Sequence, residues 1–229
     1  MKKSFAVGPV TVGVLLAYIS GFVDTLSFIA LFGLFAAHIT GNIVLVATSI
    51  AENRHGLMMK MLAIPVFIMA AIGTRLYIVR RERHQLDAAV HVMTCQAILL
   101  TVFMLVAMKE APFDAGDHPH AVAAGLLAAA AMAIQNTAAR TFFSGLPPTT
   151  VMTGNFIQVV VDVVDLMVGH EPQAKRARLA KLGPMLLAFI AGTLSGAVGY
   201  VTVGFLSLIV PILAVSLVSV VVRHQTARA

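Results

Sequence analysis

The chain has 229 residues, of which 59% are hydrophobic and only 11% are charged. A composition this apolar excludes an ordinary soluble domain and indicates an integral membrane protein with the lipid bilayer as its main partner. The net charge of +6 does not indicate a nucleic-acid ligand, because the cations lie in short connections beside apolar stretches, as the positive-inside rule describes. The single cysteine, Cys95, allows no disulfide bond within the chain.

Apolar stretches follow one another along the chain and predict membrane helices, each of which needs roughly 20 residues to cross a bilayer. The stretches cover residues 8–50, 61–79, 90–107, 121–143, 151–168 and 182–222. The first and the last are long enough for two elements each, which allows up to eight helices. The opening residues MKKSF resemble the start of a signal peptide, but no small-residue cleavage site follows. We therefore expect a retained first helix in a single membrane domain over residues 1–229.

The tripeptide Thr-Gly-Asn occurs twice, with similar flanks. A polar residue precedes each copy. Three features follow each copy: an apolar helix, then a proline that we expect to open the next helix, and then a Gly-Thr pair. In chain order these landmarks are Asp24, Thr40, Gly41, Asn42, Pro65 and Gly73, and then Asn136, Thr153, Gly154, Asn155, Pro184 and Gly192. Their order predicts an internal repeat of residues 8–108 and 120–222, joined by an acidic loop at 109–119.

Each tripeptide predicts an interruption of a helix. Glycine permits non-helical backbone, and the Thr and Asn side chains can bond the backbone groups that a break exposes. Irregular backbone at membrane depth is tolerated only where protein buries it or water reaches it, and matched breaks in two halves point to a transporter binding site. A tight turn between antiparallel helices, with Asn as the cap, explains the same residues.

The direction of the two halves depends on how each break is built. If each tripeptide lies in a segment that enters and leaves by one face, the halves cross three times and are inverted; if it joins two full helices, they cross four times and are parallel. The cations favour the inverted arrangement, which keeps the RRER cluster at residues 80–83 in the cytoplasm and the acidic loop outside. The predicted fold is an all-α polytopic membrane helix bundle of about six full spans plus two broken or re-entrant segments, with both termini cytoplasmic.

Polar side chains inside a membrane need a partner or water. Asp24 fits a structural bond to a neighbouring backbone amide and, equally, a proton or cation site. Histidine side chains in general titrate near neutral pH, so His38 suits a proton-coupled step, although a lone His in an apolar segment is more often structural. Arg140 can reach a carboxylate such as Asp24 or Asp162, or extend to the headgroups.

A polar face follows the second tripeptide. Asn155, Gln158 and Asp162 recur at spacings of three and four, which places them on one side of a helix. Such a face indicates either a water-lined path or a partner helix with matching donors. The candidate pathway residues are Asp24, His38, Thr40, Gly41, Asn42, Gln135, Asn136, Arg140, Thr153, Gly154, Asn155, Gln158 and Asp162.

Four motifs stand in order along the chain, GFVDTLSF, GLFAAHITGN, IQNTAAR and PTTVMTGN, and AFIAGTLSG continues them. Together they resemble the YoaK family of small bacterial integral membrane proteins, domain of unknown function 1275. The resemblance implies a multi-pass protein of the bacterial inner membrane, without a substrate or catalytic residues.

The sequence favours a transporter or channel for a small solute or ion, with Asn42 and Asn155 in the site and Asp24, with Asp162 or His38, handling a coupling proton. The alternative is a non-transporting assembly or regulatory protein whose polar residues are structural. An enzyme is not expected, because the chain has no nucleophile elbow, no paired metal ligands and no phosphate loop. We expect no cofactor or metal and no nucleic-acid partner, and a second copy of the chain is a candidate partner.

Overall fold

The computed structural model describes residues 9–52, 56–150 and 152–226, so the MKKSF segment and both chain ends lie outside the described residues. In the described part the regular structure is entirely helical, and the predicted all-α membrane bundle is confirmed. The elements are α1 (Pro9–Ala30), α2 (Ile39–Glu52), α3 (Leu57–Arg83), α4 (Ala89–Glu110), α5 (Pro119–Phe142), α6 (Thr153–Met167), α7 (Pro172–Val203), a 3-10 turn (Gly204–Leu208) and α8 (Ile209–Thr226).

The helices fall into long and short classes. Five helical stretches of the described chain are long and apolar enough to cross a membrane: α1, α3, α4, α5 and the stretch Pro172–Arg223, which contains α7 and most of α8. Helices α2 and α6 have 14 and 15 residues, which makes them about 21–23 Å long. They are too short for a hydrocarbon core of about 30 Å.

The prolines expected to open the third helix of each half do not do so. Pro65 lies inside α3 and Pro184 inside α7, so that prediction is wrong. Each helix starts earlier, α3 at Leu57 and α7 at Pro172. A proline inside a membrane helix is tolerated because neighbouring helices and local adjustments satisfy the freed backbone group.

The chain reverses between α7 and α8. Gly204 has a φ of 61°, and a Cβ on Gly199 would lie 2.9 Å from the Cβ of Ser207. Eight residues of continuous helix would span about 12 Å, so the chain has folded back. Tyr200 and Phe205 face each other across this turn, with ring centroids 5.4 Å apart.

Helices α1 and α7 form the most extensive helix pair, and they run in the same direction. Gly13 lies beside Met185, and Gly21 lies beside Phe189. Further along, Gly196 lies against the backbone of Phe22. Residue numbers rise together along the contact, so the two helices are parallel.

Helices α3 and α5 are likewise parallel, since Met59 lies beside Gly125 and Ala71 lines a cavity with Asn136. Helices α4 and α8 are antiparallel. Thr94 contacts Ser219 near one end, and Phe103 meets Phe205 near the other, as the ring pair at 5.8 Å shows.

These contacts fix the directions of the six long helices. Helix α8 runs opposite to both α7 and α4, so α4 has the direction of α7 and α1. Helices α4 and α5 are joined by a short loop and are antiparallel, so α5 and its parallel neighbour α3 have the direction of α8. Helices α1, α4 and α7 therefore run one way, and α3, α5 and α8 run the other. Corresponding helices of the two halves therefore point in opposite directions, as the inverted arrangement predicts. The origin of the halves in a duplication stays a prediction.

The connection from α1 to α2 is re-entrant. The backbone of Ala37 returns to Asp24, about 9 Å before the end of α1. Helix α2 then leads back out, because Gly56, just beyond it, lies against Phe32 at the end of α1. The chain thus enters and leaves by one face before α3 begins, and the connection from α5 to α6 is built in the same way from the opposite face.

Candidate functional site

Asp24 anchors the first re-entrant segment. Its side chain is buried in α1, where Oδ1 accepts a 2.6 Å hydrogen bond from the backbone N–H of Ala37. Its Oδ2 pairs with Nδ1 of the partly exposed His38. The carboxylate therefore holds the two residues that precede α2, as the structural interpretation of Asp24 predicts. The same pair contains the titratable groups that the coupling hypothesis needs.

Asn136 plays the corresponding part in the second half. Its Oδ1 accepts a hydrogen bond from the hydroxyl of Thr150, which lies just before α6. The two partners are 14 residues apart, as are Asp24 and His38. In each half a polar side chain of the long helix thus fixes the residue that leads into the short helix.

The asparagines of the two tripeptides close the breaks. Asn42 donates to the carbonyl of Phe35 at 2.6 Å and accepts from the N–H of the same residue at 2.9 Å. Asn155 donates to the carbonyl of Pro148 at 2.7 Å, again seven residues back. Both side chains are buried. They satisfy backbone groups that would otherwise be unpaired inside the membrane.

The other members of the tripeptides are less enclosed. Thr40, Thr153 and Gly154 are exposed, and a Cβ on Gly154 would meet nothing within 4 Å. Gly41 is partly buried, and a Cβ there would lie 3.0 Å from the ring of Phe35. The close approach explains a glycine at Gly41, whereas space alone does not explain the one at Gly154.

Gln135 forms a fully buried polar junction between three helices. Its amide nitrogen donates to the carbonyl of Leu16 and the hydroxyl of Ser20, at 2.9 and 2.7 Å. Its oxygen accepts a 2.6 Å bond from Gln96 of α4. The side chain is enclosed by protein, and sequence reasoning missed Gln96, an isolated polar residue without a repeat counterpart.

Gln135→Leu should destabilise the protein by about 3 kcal/mol, because it removes three hydrogen bonds and leaves the buried Gln96 amide unpaired. The double variant Gln96→Leu/Gln135→Leu should recover part of that loss, since no buried amide is then left without a partner. Thermal unfolding of the detergent-solubilised protein measures both. Additive losses in the double variant would contradict the pairing.

The polar face of α6 meets a partner helix. The buried carboxylate of Asp162 accepts from Nε of Arg178 at 2.6 Å and from Gln158 at 2.9 Å. Lys175 lies 2.6 Å from Asp165 one turn further on. The structure thus favours the partner-helix interpretation of this face over a water-lined path. Sequence reasoning missed these basic partners, although their spacing of three residues at the start of α7 is a usable signal.

Arg140 bonds neither of the carboxylates considered from the sequence. Asp24 and Asp162 have other partners, and no side-chain bond or ion pair joins Arg140 to another described residue. The guanidinium is exposed and borders two cavities, together with Asn136. These two residues are therefore the members of the predicted site that border both cavities, and Thr40 borders one of them.

The larger cavity, of about 620 Å³, joins the two halves. It lies between the start of α2, the middle of α3 and the end of α5. The polar residues that line it are Thr40, Arg75, Asn136, Thr137, Arg140 and Thr141.

The smaller cavity, of about 190 Å³, lies between the end of α5 and the second re-entrant segment. Its lining includes Ser144, Thr149 and Thr150 beside Asn136 and Arg140. The hydroxyl of Thr149 is buried and has no hydrogen-bond partner. A buried hydroxyl of this kind is available to a small polar ligand or to water.

One group of side chains in the described part of the chain is arranged so that it could hold a metal ion. Glu110, His118 and His120 place their ligand atoms within 4.8 Å of one another. The group lies at the opposite end of α5 from Asn136, about 24 Å along the helix. It is separate from the cavities.

The fold and the site define a polytopic helical membrane protein with two re-entrant segments of opposite orientation. The chain belongs to the DUF1275 family, described as proteins of unknown function, whose sequence pattern matches residues 12–221. The resemblance drawn from the motifs is thereby confirmed. Neither a curated protein nor a solved structure matches the chain.

Proposed function

We propose that the protein is a transporter or channel for a small solute or ion, with its binding site at Asn136 and Arg140. One observation carries the proposal: these two side chains border both cavities, and the larger cavity also reaches Thr40 at the first tripeptide. Sites built where re-entrant segments of inverted halves approach each other are a recurring arrangement in transporters.

The lining favours a small anion. Arg140 and Arg75 are the charged residues of the larger cavity, and hydroxyls or amides supply its remaining polar groups. An exposed guanidinium can bind a carboxylate or an inorganic anion through paired hydrogen bonds. The smaller cavity is large enough for an anion of a few heavy atoms.

We assign proton coupling to the pair of Asp24 and His38. The carboxylate is buried, whereas the imidazole is partly exposed, so a proton has a route to the pair. Asp162 is less suited to this role, because Arg178 and Gln158 bind it.

We further propose that the protein lies in the bacterial inner membrane with its basic face in the cytoplasm. The helix directions support this orientation, because Arg80, Arg83, Arg140, Lys175 and Arg178 all lie toward one face. The acidic loop lies toward the other, as the positive-inside rule expects. The start of α1 and the end of α8 also lie toward the basic face, which supports cytoplasmic termini.

The rival function is a non-transporting assembly or regulatory protein. It is favoured by the number of predicted site residues that have structural partners. Asn42 and Asn155 close turns, and Gln135 joins three helices. These three residues therefore do not discriminate between the functions, and the test must use Asn136 and Arg140.

Arg140→Ala should lower anion flux into proteoliposomes at least tenfold, because loss of a charged hydrogen bond is worth about 1.5–3 kcal/mol. Asn136→Ala should also lower flux, but with some loss of stability, because it releases Thr150. Arg83→Ala is the matched control: it removes a cation of the same face outside both cavities and should leave flux unchanged. The measurement uses a panel of inorganic anions and small carboxylates, with thermal unfolding in parallel.

Absence of flux for the whole panel with folded wild-type protein would contradict transport of this class. Equal losses in Arg140→Ala and Arg83→Ala would place the effect in surface charge and would contradict the proposed site.

A further inference from the structure

The corner between α4 and α5 brings together three side chains with metal-binding chemistry. Glu110 ends α4, His118 caps the start of α5, and His120 lies in its first turn. They lie toward the face opposite the basic residues. The proposed transport function uses none of them.

The three side chains converge on one point. His120 Nδ1 lies 3.9 Å from Glu110 Oε1, and the rings of His118 and His120 face each other at 5.5 Å. All three ligand atoms lie within 4.8 Å of one another. Nδ1 of His120 is buried and has no hydrogen-bond partner, so a nitrogen donor is aimed into the group and unused.

We propose that Glu110, His118 and His120 bind a divalent transition-metal ion of the zinc class, with water in the fourth position. Two imidazoles and one carboxylate form a frequent ligand set for zinc sites that keep one position open. Tetrahedral ligands at zinc distances lie about 3.3 Å apart. Closing from 4.8 Å requires a shift of about 1.5 Å, which side-chain rotation of the exposed His118 and Glu110 can supply.

The ligand types decide the class of metal. Imidazole nitrogen is a ligand of zinc, copper and nickel, whereas magnesium and calcium prefer sites built of oxygen alone. The sequence spacing gave no zinc motif because the ligands come from two helices that the acidic loop brings together. The site appears only when the ends of α4 and α5 are placed side by side.

The bound ion would join α4 to α5 across the acidic loop. A ligand that binds only the folded state raises the free energy of unfolding. At concentrations above the Kd, this increase grows with the logarithm of the ligand concentration. We therefore expect zinc to raise the midpoint of thermal unfolding. The effect is independent of transport, because the site lies about 24 Å along α5 from Asn136.

Zinc binding by tag-free protein in detergent, measured by competition with a chromophoric zinc chelator, tests the proposal. The wild type should bind one zinc ion tightly and unfold at a higher temperature with zinc. His120→Ala and Glu110→Gln should each weaken zinc binding at least tenfold. Loss of a residue that only hydrogen-bonds to a metal ligand already lowers metal affinity by about tenfold or more, and loss of the ligand itself should cost more. Magnesium should produce no shift in unfolding.

His91→Ala is the matched control, because His91 is an exposed histidine of α4 that lines a different cavity with Cys95. It should leave zinc affinity and the zinc-dependent shift unchanged. Zinc affinity that survives in His120→Ala and Glu110→Gln, or that is lost in His91→Ala instead, would overturn the proposal. Unfolding without zinc should be similar in all variants, since the substituted side chains are at least partly exposed.

Discussion

Gly192→Ala should strongly destabilise the protein, whereas Gly73→Ala, the matching substitution in the other half, should be tolerated. A Cβ on Gly192 would lie 2.1 Å from the carbonyl oxygen of Tyr18. A Cβ on Gly73 would meet nothing within 4 Å. The two glycines belong to corresponding Gly-Thr pairs, so the comparison holds the local sequence similar and changes the packing.

The reason is the backbone contact between α1 and α7. Gly21, Gly192 and Gly196 each lie so close to the opposite helix that a Cβ would come within 2.5 Å of a carbonyl oxygen. Small residues at such spacings allow membrane helices to pack backbone against backbone. A methyl group at Gly192 forces the helices apart, at a cost of about 3 kcal/mol, the upper part of the usual range for an overpacked core.

Gly73→Ala should change stability by less than about 1 kcal/mol, on the stabilising side, because alanine is the better helix former. Thermal unfolding of both variants in the same detergent measures the difference. Equal losses of stability in Gly192→Ala and Gly73→Ala would contradict the close backbone contact between α1 and α7. A Gly192→Ala variant as stable as the wild type would also contradict this contact.

The Gly-Thr pairs show what could be predicted from the sequence. Their matching positions predict an internal repeat, which stays a prediction. The difference between them could not be predicted, because it depends on which helix lies opposite. Gly192 faces α1 backbone, whereas Gly73 borders an open cavity.

The polar residues show the same limit. Asn42 and Asn155 were predicted to serve a break, and their bonds are local, seven residues along the chain. Arg178 was not predicted as the partner of Asp162, since that contact crosses between helices. Hydropathy thus predicts the spans and local chemistry predicts the breaks, while pairing between helices requires the three-dimensional arrangement.

The second large effect is expected at Asp24. Asp24→Ala should lower stability by about 2–4 kcal/mol, because it leaves the buried N–H of Ala37 and the His38 ring without their acceptor. The double variant Asp24→Asn/His38→Thr should stay within about 1 kcal/mol of the wild type. It copies the pair that Asn136 and Thr150 form in the second half, over the same separation of 14 residues.

The double variant also separates structure from coupling. An asparagine and a threonine can hold the re-entrant segment, but neither side chain gains or loses a proton near physiological pH. On the proposed function, the double variant should keep downhill anion flux and lose its response to a pH gradient, both measured in proteoliposomes. A stable double variant that still responds to the gradient would exclude Asp24 and His38 as the coupling groups. An unstable double variant would show that the Asp24–His38 pair itself is needed to hold the segment.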